Sequence, residues 1–208
     1  VIIKDATIWT NEAEGVLEGM DILLQDGKIK AIGEVLDLVD AHTVVIDGKG
    51  KHVTAGIIDE HSHIALTGVN EGSQSVTSEV RMKDVVNSED INIYRQLAGG
   101  VTTAQLLHGS ANPIGGQSAI IKLRWGSIPE EMLVKDADEY IKFALGENVK
   151  RSRAPSSTRF PDSRMGVEQV FVDAFNRAKI YSDKWSNYNS LSKKEKINSI
   201  KPRRDLEL

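Results

Sequence analysis

Two histidines separated by one residue stand at the end of the apolar run Ala55-Gly56-Ile57-Ile58-Asp59-Glu60-His61-Ser62-His63. In a β-strand, side chains two positions apart point to the same face, so His61 and His63 should project together, with Asp59 below them. Neutral imidazole is a common ligand of divalent metals such as zinc. The spacing predicts that both rings bind one ion and that Asp59 orients an imidazole. Such a pair at the C-terminal end of a buried strand indicates a metal site at the catalytic mouth of a β/α barrel.

Two more candidates follow other predicted strand ends. His108 follows the apolar stretch 101–107, and Glu147 follows the apolar stretch 140–145. Because side chains at strand ends line a barrel mouth, Glu147 is a candidate metal ligand, and His108 is a candidate to contact substrate or support a ligand. The alternatives are an exposed loop glutamate and a histidine that is hydrogen-bonded at a strand end.

Candidate substrate-binding residues lie in two further stretches. Gly115-Gly116-Gln117 is predicted as a glycine-rich loop whose backbone N–H groups could approach a substrate carboxylate, and Gln117 belongs to the same candidate site. An ordinary turn is the alternative. A basic stretch could clamp a carboxylate through a guanidinium, and Arg164, before a predicted helix, is its best candidate. A solvated loop is the alternative there. The basic residues of this stretch are Lys150, Arg151, Arg153, Arg159 and Arg164.

The elements that must position these residues are predicted from periodicity and turn signals. Residues 1–52 contain short strands, and Asp26-Gly27 between two apolar–polar runs predicts a hairpin in a small antiparallel β-unit. Ser88 is predicted to cap a helix that ends at Gly99-Gly100. The other predicted elements are barrel strands at 53–64, 101–107 and 140–145, an extended segment at 118–125, and a helix at 166–188.

Composition excludes several classes of partner. The chain of 208 residues has a net charge of −4, so neither nucleic acid nor an acidic membrane is an expected partner. It has no cysteine, which excludes disulfides and thiolate ligands. It has no apolar run of the roughly 18 residues that a membrane span needs. A cytoplasmic location is slightly favoured, and a cleaved signal peptide stays open because the sequence starts at Val1.

The run from Ala55 to His63 resembles the opening metal motif of the amidohydrolase superfamily, Pro-Gly-apolar-apolar-Asp-x-His-x-His, with Ala55 in place of the proline. It follows a β-rich segment, as in that family, and the chain looks most like the imidazolonepropionase-related branch, which includes prolidase-like and other C–N hydrolases. The resemblance implies an α/β fold. Residues 1–52 would form part of a composite β-sandwich, and residues 53–208 would form part of a TIM-type (β/α)8 barrel. A complete barrel needs about 250 residues. We therefore expect the chain to be the N-terminal part of a longer polypeptide, whose remainder completes the barrel.

The resemblance also implies a chemistry, in which one or two divalent ions activate a water that cleaves an amide or cyclic amide of a small molecule. Zinc is expected, with manganese and iron as alternatives. His61 and His63 would bind the more buried metal, and the run around Glu147 resembles the glutamate form of a bridging ligand. Lys150 competes for that role as a carboxylated lysine. The remaining ligands and the general-base aspartate would lie outside this chain.

Two other readings stay open at this stage. A deaminase of the same architecture would attack an aromatic ring carbon and release ammonia. A barrel that has lost catalysis would serve as a scaffold, which the intact histidine pair argues against. A homo-oligomer is compatible with all three readings.

Overall fold

The computed structural model describes residues 1–37, 40–150 and 158–204. The chain divides into two compact units, Val1–Gly56 and Ile57–Leu208. Of the basic residues named above, Arg151 and Arg153 lie outside the described residues. Within the described ranges, no helix has both the length and the apolar composition needed to cross a bilayer.

The first unit is one five-stranded sheet. Its strands are β1 (Ile2–Trp9), β2 (Val16–Gln25), β3 (Lys28–Gly33), β4 (Val45–Asp47) and β5 (His52–Val53). The strand order is β3-β2-β1-β4, and β5 also pairs with β1. Asp26 and Gly27 have φ values of 52° and 71° and join β2 to β3, which confirms the predicted hairpin. The prediction of a purely antiparallel unit is wrong, because β4 and β5 return over a longer connection and pair parallel with β1.

A buried carboxylate organises the first unit beside its small apolar core of Ala6, Ile8 and Ile22. Asp21 is only 4% exposed. Its oxygens accept the N–H groups of Asp5 and Leu36 at 3.0 and 2.9 Å, and Lys4 Nζ lies 2.7 Å away. The hydrogen bond from Lys4, helped by the N–H of Leu36, lowers the pKa of Asp21 to about 2.

The second unit contains a three-stranded sheet in the order β6-β7-β9 and a separate pair, β8 with β10. The strands are β6 (Ile57–Ser62), β7 (Val101–Leu106), β8 (Ile114–Gln117), β9 (Ala119–Lys122) and β10 (Ile141–Phe143). The helices are α1 (Ile91–Ala98), α2 (Pro129–Met132), α3 (Arg164–Ser190) and α4 (Lys193–Ile197), with a 3₁₀ turn at Met82–Val85. Strands β6 and β7 pair in parallel, as their apolar sequences predicted.

Three details of the second unit differ from the sequence prediction. Stretch 140–145 was expected as a third barrel strand, but β10 pairs antiparallel with β8 instead. The reason is that β9, which comes after β8 in the chain, pairs antiparallel with β7 and takes its free edge. Gly115 and Gly116 belong to a strand and not to a loop. Helix α1 is capped by Asp90, whose side chain accepts the Asn92 N–H, and not by Ser88.

The main core of the second unit lies around β7 and places its C-terminal end. Buried side chains of β7 and β9 meet one residue from α1 and one from α2, and they hold the sheet and the helices together. The most deeply buried members are Ala65, Ile93, Ala104, Leu106, Ile121 and Met132. This packing positions the C-terminal end of β7. The predicted metal ligands His61 and His63 lie beside it, at the end of β6.

We predict that Asp21→Asn destabilises the first unit by about 1–3 kcal/mol at pH 7, because an amide cannot replace both accepting oxygens or the charge that pairs with Lys4. The folded pKa of Asp21 lies below the unfolded value of about 3.9, so its contribution is present above pH 4 and is lost as the pH falls toward 2. Urea unfolding at several pH values checks both statements. A difference between wild type and variant that stays constant from pH 6 to pH 2 would contradict them.

Candidate metal centre

The end of β6 brings the two predicted metal ligands together. His61 lies in β6 and His63 follows directly after it, and both side chains are exposed. Their ring centroids lie 5.4 Å apart, with an interplanar angle of 88°. The rings are therefore neighbours, in an edge-to-face arrangement.

The neighbouring strand end sets the tautomer of His63. The Nδ1 atom of His63 lies 2.9 Å from the carbonyl oxygen of Leu107. Because a carbonyl can only accept, Nδ1 must carry the proton, and Nε2 keeps its lone pair. This is the arrangement found in most metal-binding histidines, whose second ring nitrogen donates to a carbonyl or carboxylate.

His61 has different partners. Its backbone N–H donates to Asp59 Oδ1 at 3.1 Å, so Asp59 holds the main chain there, whereas the sequence predicted that it would orient an imidazole. The Nζ atom of Lys142, from β10, lies 3.4 Å from the Nε2 atom of His61. Sequence reasoning missed Lys142. Its one local signal is a lysine in the middle of a short apolar strand.

The contact that the structure gives for the Glu147 side chain is with Lys150 and not with the histidine pair. Its side chain is 65% exposed and forms an ion pair with Lys150, which is its rival for the bridging role. Among the residues that the structure describes, no three His, Cys, Asp or Glu side chains form a group that could hold a metal ion. The described chain thus supplies two adjacent imidazoles, and a complete set of ligands needs further groups.

His108 is buried and uses both ring nitrogens. Its Nε2 accepts the N–H of Glu71 at 2.7 Å, and its Nδ1 donates to the Gly109 carbonyl at 2.9 Å. The ring lies against β8, where a Cβ at Gly115 would come within 2.6 Å of Nδ1 and one at Gly116 within 3.3 Å of Cδ2. In this structure His108 therefore has no nitrogen left for substrate, and the two glycines make room for its ring.

Of the other two residues predicted to contact substrate, one binds the protein itself and one lies in solvent. Gln117 donates from Nε2 to the Ser78 carbonyl at 2.9 Å. Arg164 is the exposed first residue of α3. The structure does not bring either residue together with the histidines.

Among the arginines that the structure describes, Arg159 lines the same cleft as His63. Its guanidinium is partly buried, and burial lowers its pKa from the ordinary value. Its terminal nitrogens donate to four main-chain carbonyls at 2.5–3.2 Å, those of Gly72, Ala111, Val149 and Lys150. Arg159 thus fastens three chain segments around the cleft.

A second buried polar residue holds the same region. Asn112 is fully buried, and its Nδ2 donates to the carbonyls of Glu71 and Gln74 and to Thr77 Oγ1 at 2.7–3.1 Å. The carboxylate of Glu71 in turn accepts from the Ser73 hydroxyl and N–H, which lowers the pKa of Glu71. Segment 69–77 is therefore held to the end of β7 by a network of hydrogen bonds.

Known proteins with similar sequences and structures are amidohydrolases or related enzymes. No protein-family model matches the chain. "Amidohydrolase tasK" of Hapsidospora irregularis is 31% identical over 210 residues, which cover 85% of this chain and 21% of that protein. The crystal structure of an amidohydrolase from Thermotoga maritima MSB8 matches with a TM-score of 0.79 and 35% identity, over 99% of this chain and 53% of that one. An imidazolonepropionase of Geobacillus kaustophilus is 38% identical over 63 residues, 27% of this chain and 15% of that protein.

The chain therefore spans about half the length of the Thermotoga protein and about a fifth of tasK. The matched region includes the histidine pair in the Thermotoga comparison, since it covers 99% of the chain.

We predict that Gly115→Ala destabilises the protein by about 1–3 kcal/mol, because the new methyl group overlaps the buried His108 ring. The ring would have to move, which releases the Glu71 N–H, so hydrogen exchange at Glu71 should accelerate. Gly68→Ala is the matched control, since nothing lies within 4 Å of its added Cβ. Equal stability and equal exchange in the two variants would show that the ring is not held as described.

Proposed function

The chain belongs to the amidohydrolase superfamily, and on this premise we propose that the protein is a metal-dependent hydrolase that cleaves a carbon–nitrogen bond in an amide or cyclic amide. The observation that carries the proposal is the histidine pair, with His63 Nδ1 bonded to Leu107 so that Nε2 is left for a metal. We further propose that the first unit is part of a composite β-sandwich and that the second is the beginning of a (β/α)8 barrel.

The donor set fits a divalent metal of the zinc type. Imidazole nitrogens with a fixed tautomer suit zinc, and His61 and His63 would hold the ion, with Glu147 as a further ligand. A bound divalent ion would supply Lewis acidity, which lowers the pKa of water and polarises a carbonyl. The number of ions, the remaining ligands and the general base belong to the proposal for the whole protein.

Lys142 has a specific place in this proposal. An ammonium group that donates to the Nε2 atom of His61 takes up the lone pair that a metal would use. Lys142 must therefore move away from the ring when metal binds, or react with carbon dioxide, which adds to the amine with release of a proton and gives an anionic carbamate that can bind metal. This gives Lys142 a better claim to the lysine role than Lys150, which pairs with Glu147.

The other residues of the site would bind and orient the substrate. The cleft beside His63 is walled by the end of β7 and by segment 69–77, which His108 and Asn112 hold in place. Rigid walls keep a bound substrate in one orientation relative to the histidines, which favours reaction. The expected substrate is a small molecule, and names such as imidazolonepropionase support C–N bonds as the class of bond that is cleaved.

The deciding experiment is metal analysis of the intact protein by plasma mass spectrometry after reconstitution with zinc. We expect roughly stoichiometric metal in the wild type and less than about a tenth of it in His61→Ala/His63→Ala, since both imidazoles are removed. His42→Ala, an exposed histidine of the first unit, should retain the wild-type content. A wild type that binds no zinc, manganese or iron would overturn the hydrolase and favour the scaffold.

A second series assigns the additional ligand. Glu147→Ala is expected to lower the metal content severalfold, and Lys150→Ala, which removes only its ion-pair partner, is expected to retain it. Full metal in Glu147→Ala together with loss in Lys142→Ala would transfer the role to Lys142. Active samples are then tested on amides, dipeptides and cyclic ureides, and release of ammonia from purines or pyrimidines would instead indicate a deaminase.

A further inference from the structure

The buried ring of His108 holds a turn that has no regular secondary structure. Residues 70–73 lie outside the helices and strands, and this turn forms one wall of the cleft beside His63. We propose that His108 is a pH-sensitive switch, which holds the main chain of Glu71 while the ring is neutral and releases it when the ring gains a proton. The switch concerns the fold of this turn, so it goes beyond the proposed function and does not depend on it.

The first support is the direction of two hydrogen bonds. A main-chain N–H can only donate, so the bond of 2.7 Å from the Glu71 N–H requires a lone pair on His108 Nε2. The proton of the neutral ring is therefore on Nδ1, which donates to the Gly109 carbonyl at 2.9 Å. A second proton would go onto Nε2, where it would face the Glu71 N–H. The charged ring thus cannot keep this bond.

The second support is the packing of the ring, which restricts its rotation. His108 is 1% exposed. A Cβ at Gly115 would lie 2.6 Å from Nδ1 and one at Gly116 would lie 3.3 Å from Cδ2, so β8 packs directly against the ring. A ring that is enclosed in this way cannot readily present another edge to Glu71. The conflict on protonation is therefore relieved by movement of the main chain at Glu71.

The third support is the set of charged groups around the ring. Segment 69–77 has one ionisable side chain, that of Glu71, and neither residues 109–113 nor β8 has any. The carboxylate of Glu71 attracts a positive charge on the ring, and it accepts hydrogen bonds from Ser73. Arg159, whose guanidinium binds the same turn, opposes that positive charge. The acid form still has a partner, because the Glu71 carboxylate can exchange Ser73 for the charged Nε2–H.

Other contacts confine the opening to the N-terminal side of Glu71. Asn112 donates to the carbonyls of Glu71 and Gln74 and to Thr77 Oγ1 at 2.7–3.1 Å. Histidine is the side chain whose charge ordinarily changes between pH 5 and 8, whereas amide, hydroxyl and main-chain groups do not titrate there. These bonds therefore stay, and the Glu71 N–H loses its partner. One wall of the cleft loosens as the pH falls.

The test follows the ring and the turn in one titration of the intact protein from pH 8 to pH 5. Spectra of ¹⁵N-histidine give the protonation of His108, and hydrogen exchange, corrected for the intrinsic pH dependence of the rate, gives the protection of the Glu71 N–H. We expect this protection to fall at least about tenfold as His108 gains its proton, while the amides of β7 stay protected. His42→Ala removes an exposed histidine of the first unit and should leave the transition unchanged.

Three variants separate the contributions to the switch. His108→Gln keeps an uncharged acceptor for the Glu71 N–H, so its protection should be equal at pH 8 and pH 5. Glu71→Gln removes the carboxylate that attracts the charged ring, so the transition should move to lower pH. Ser73→Ala releases that carboxylate for the ring, so the transition should move to higher pH.

The switch would be overturned by a ring that stays neutral down to pH 5, or by Glu71 protection that is unchanged when His108 gains its proton. Simultaneous loss of protection in β7 would also overturn it, because the transition would then be unfolding of the whole unit. His61→Ala/His63→Ala separates the switch from the metal proposal. This variant should lose zinc and keep the transition, since the hydrogen bonds of His108 are to Glu71 and Gly109. A transition that disappears with the histidine pair would contradict the switch.

Discussion

The parallel pairing of β6 with β7 is the constraint on which the candidate site depends. Leu107, just beyond β7, uses both of its main-chain groups across this junction: its N–H donates to the Ser62 carbonyl at 3.0 Å, and its carbonyl accepts from His63 Nδ1. Leu107 therefore extends the hydrogen-bond ladder between β6 and β7 and also fixes the orientation of the His63 ring. A slip of β6 by one residue would turn the histidines to the opposite face and remove this bond. Buried Ser62 at the end of β6 pairs with buried Leu106 of β7, and this pair works against such a slip.

The region around the site is held mainly by polar groups that bind the main chain. His108, Asn112 and Arg159 together anchor segment 69–77 and the chain near residues 111 and 149. Such buried groups are costly to leave unpaired, so each makes one arrangement of the loops strongly preferred. Residues packed against these polar side chains must be small. Position 115 is a glycine because the His108 ring occupies the space that a side chain would need.

The sequence predicted local features well and long-range pairings poorly. The Asp26-Gly27 hairpin, the parallel pair of apolar strands and the long helix α3 follow from turn chemistry and periodicity, and the structure contains them. Family membership followed from one histidine motif. The antiparallel return of β9 and the pairing of β8 with β10 could not be predicted, because they depend on which strand edge is free. Lys142 was missed for the same reason, since only the fold brings β10 to His61.

Residue type alone also misled the search for binding groups, and hydrogen bonding corrects it. His108 and Gln117 have the chemistry to bind a substrate, but their side chains bond to the main chain. Arg159 does the same, since its guanidinium donates to main-chain carbonyls of three chain segments. A buried polar side chain whose hydrogen bonds end on the main chain stabilises the fold and is not available to a ligand. By this criterion, His108 and Arg159 hold the main chain around the cleft beside His63 in place.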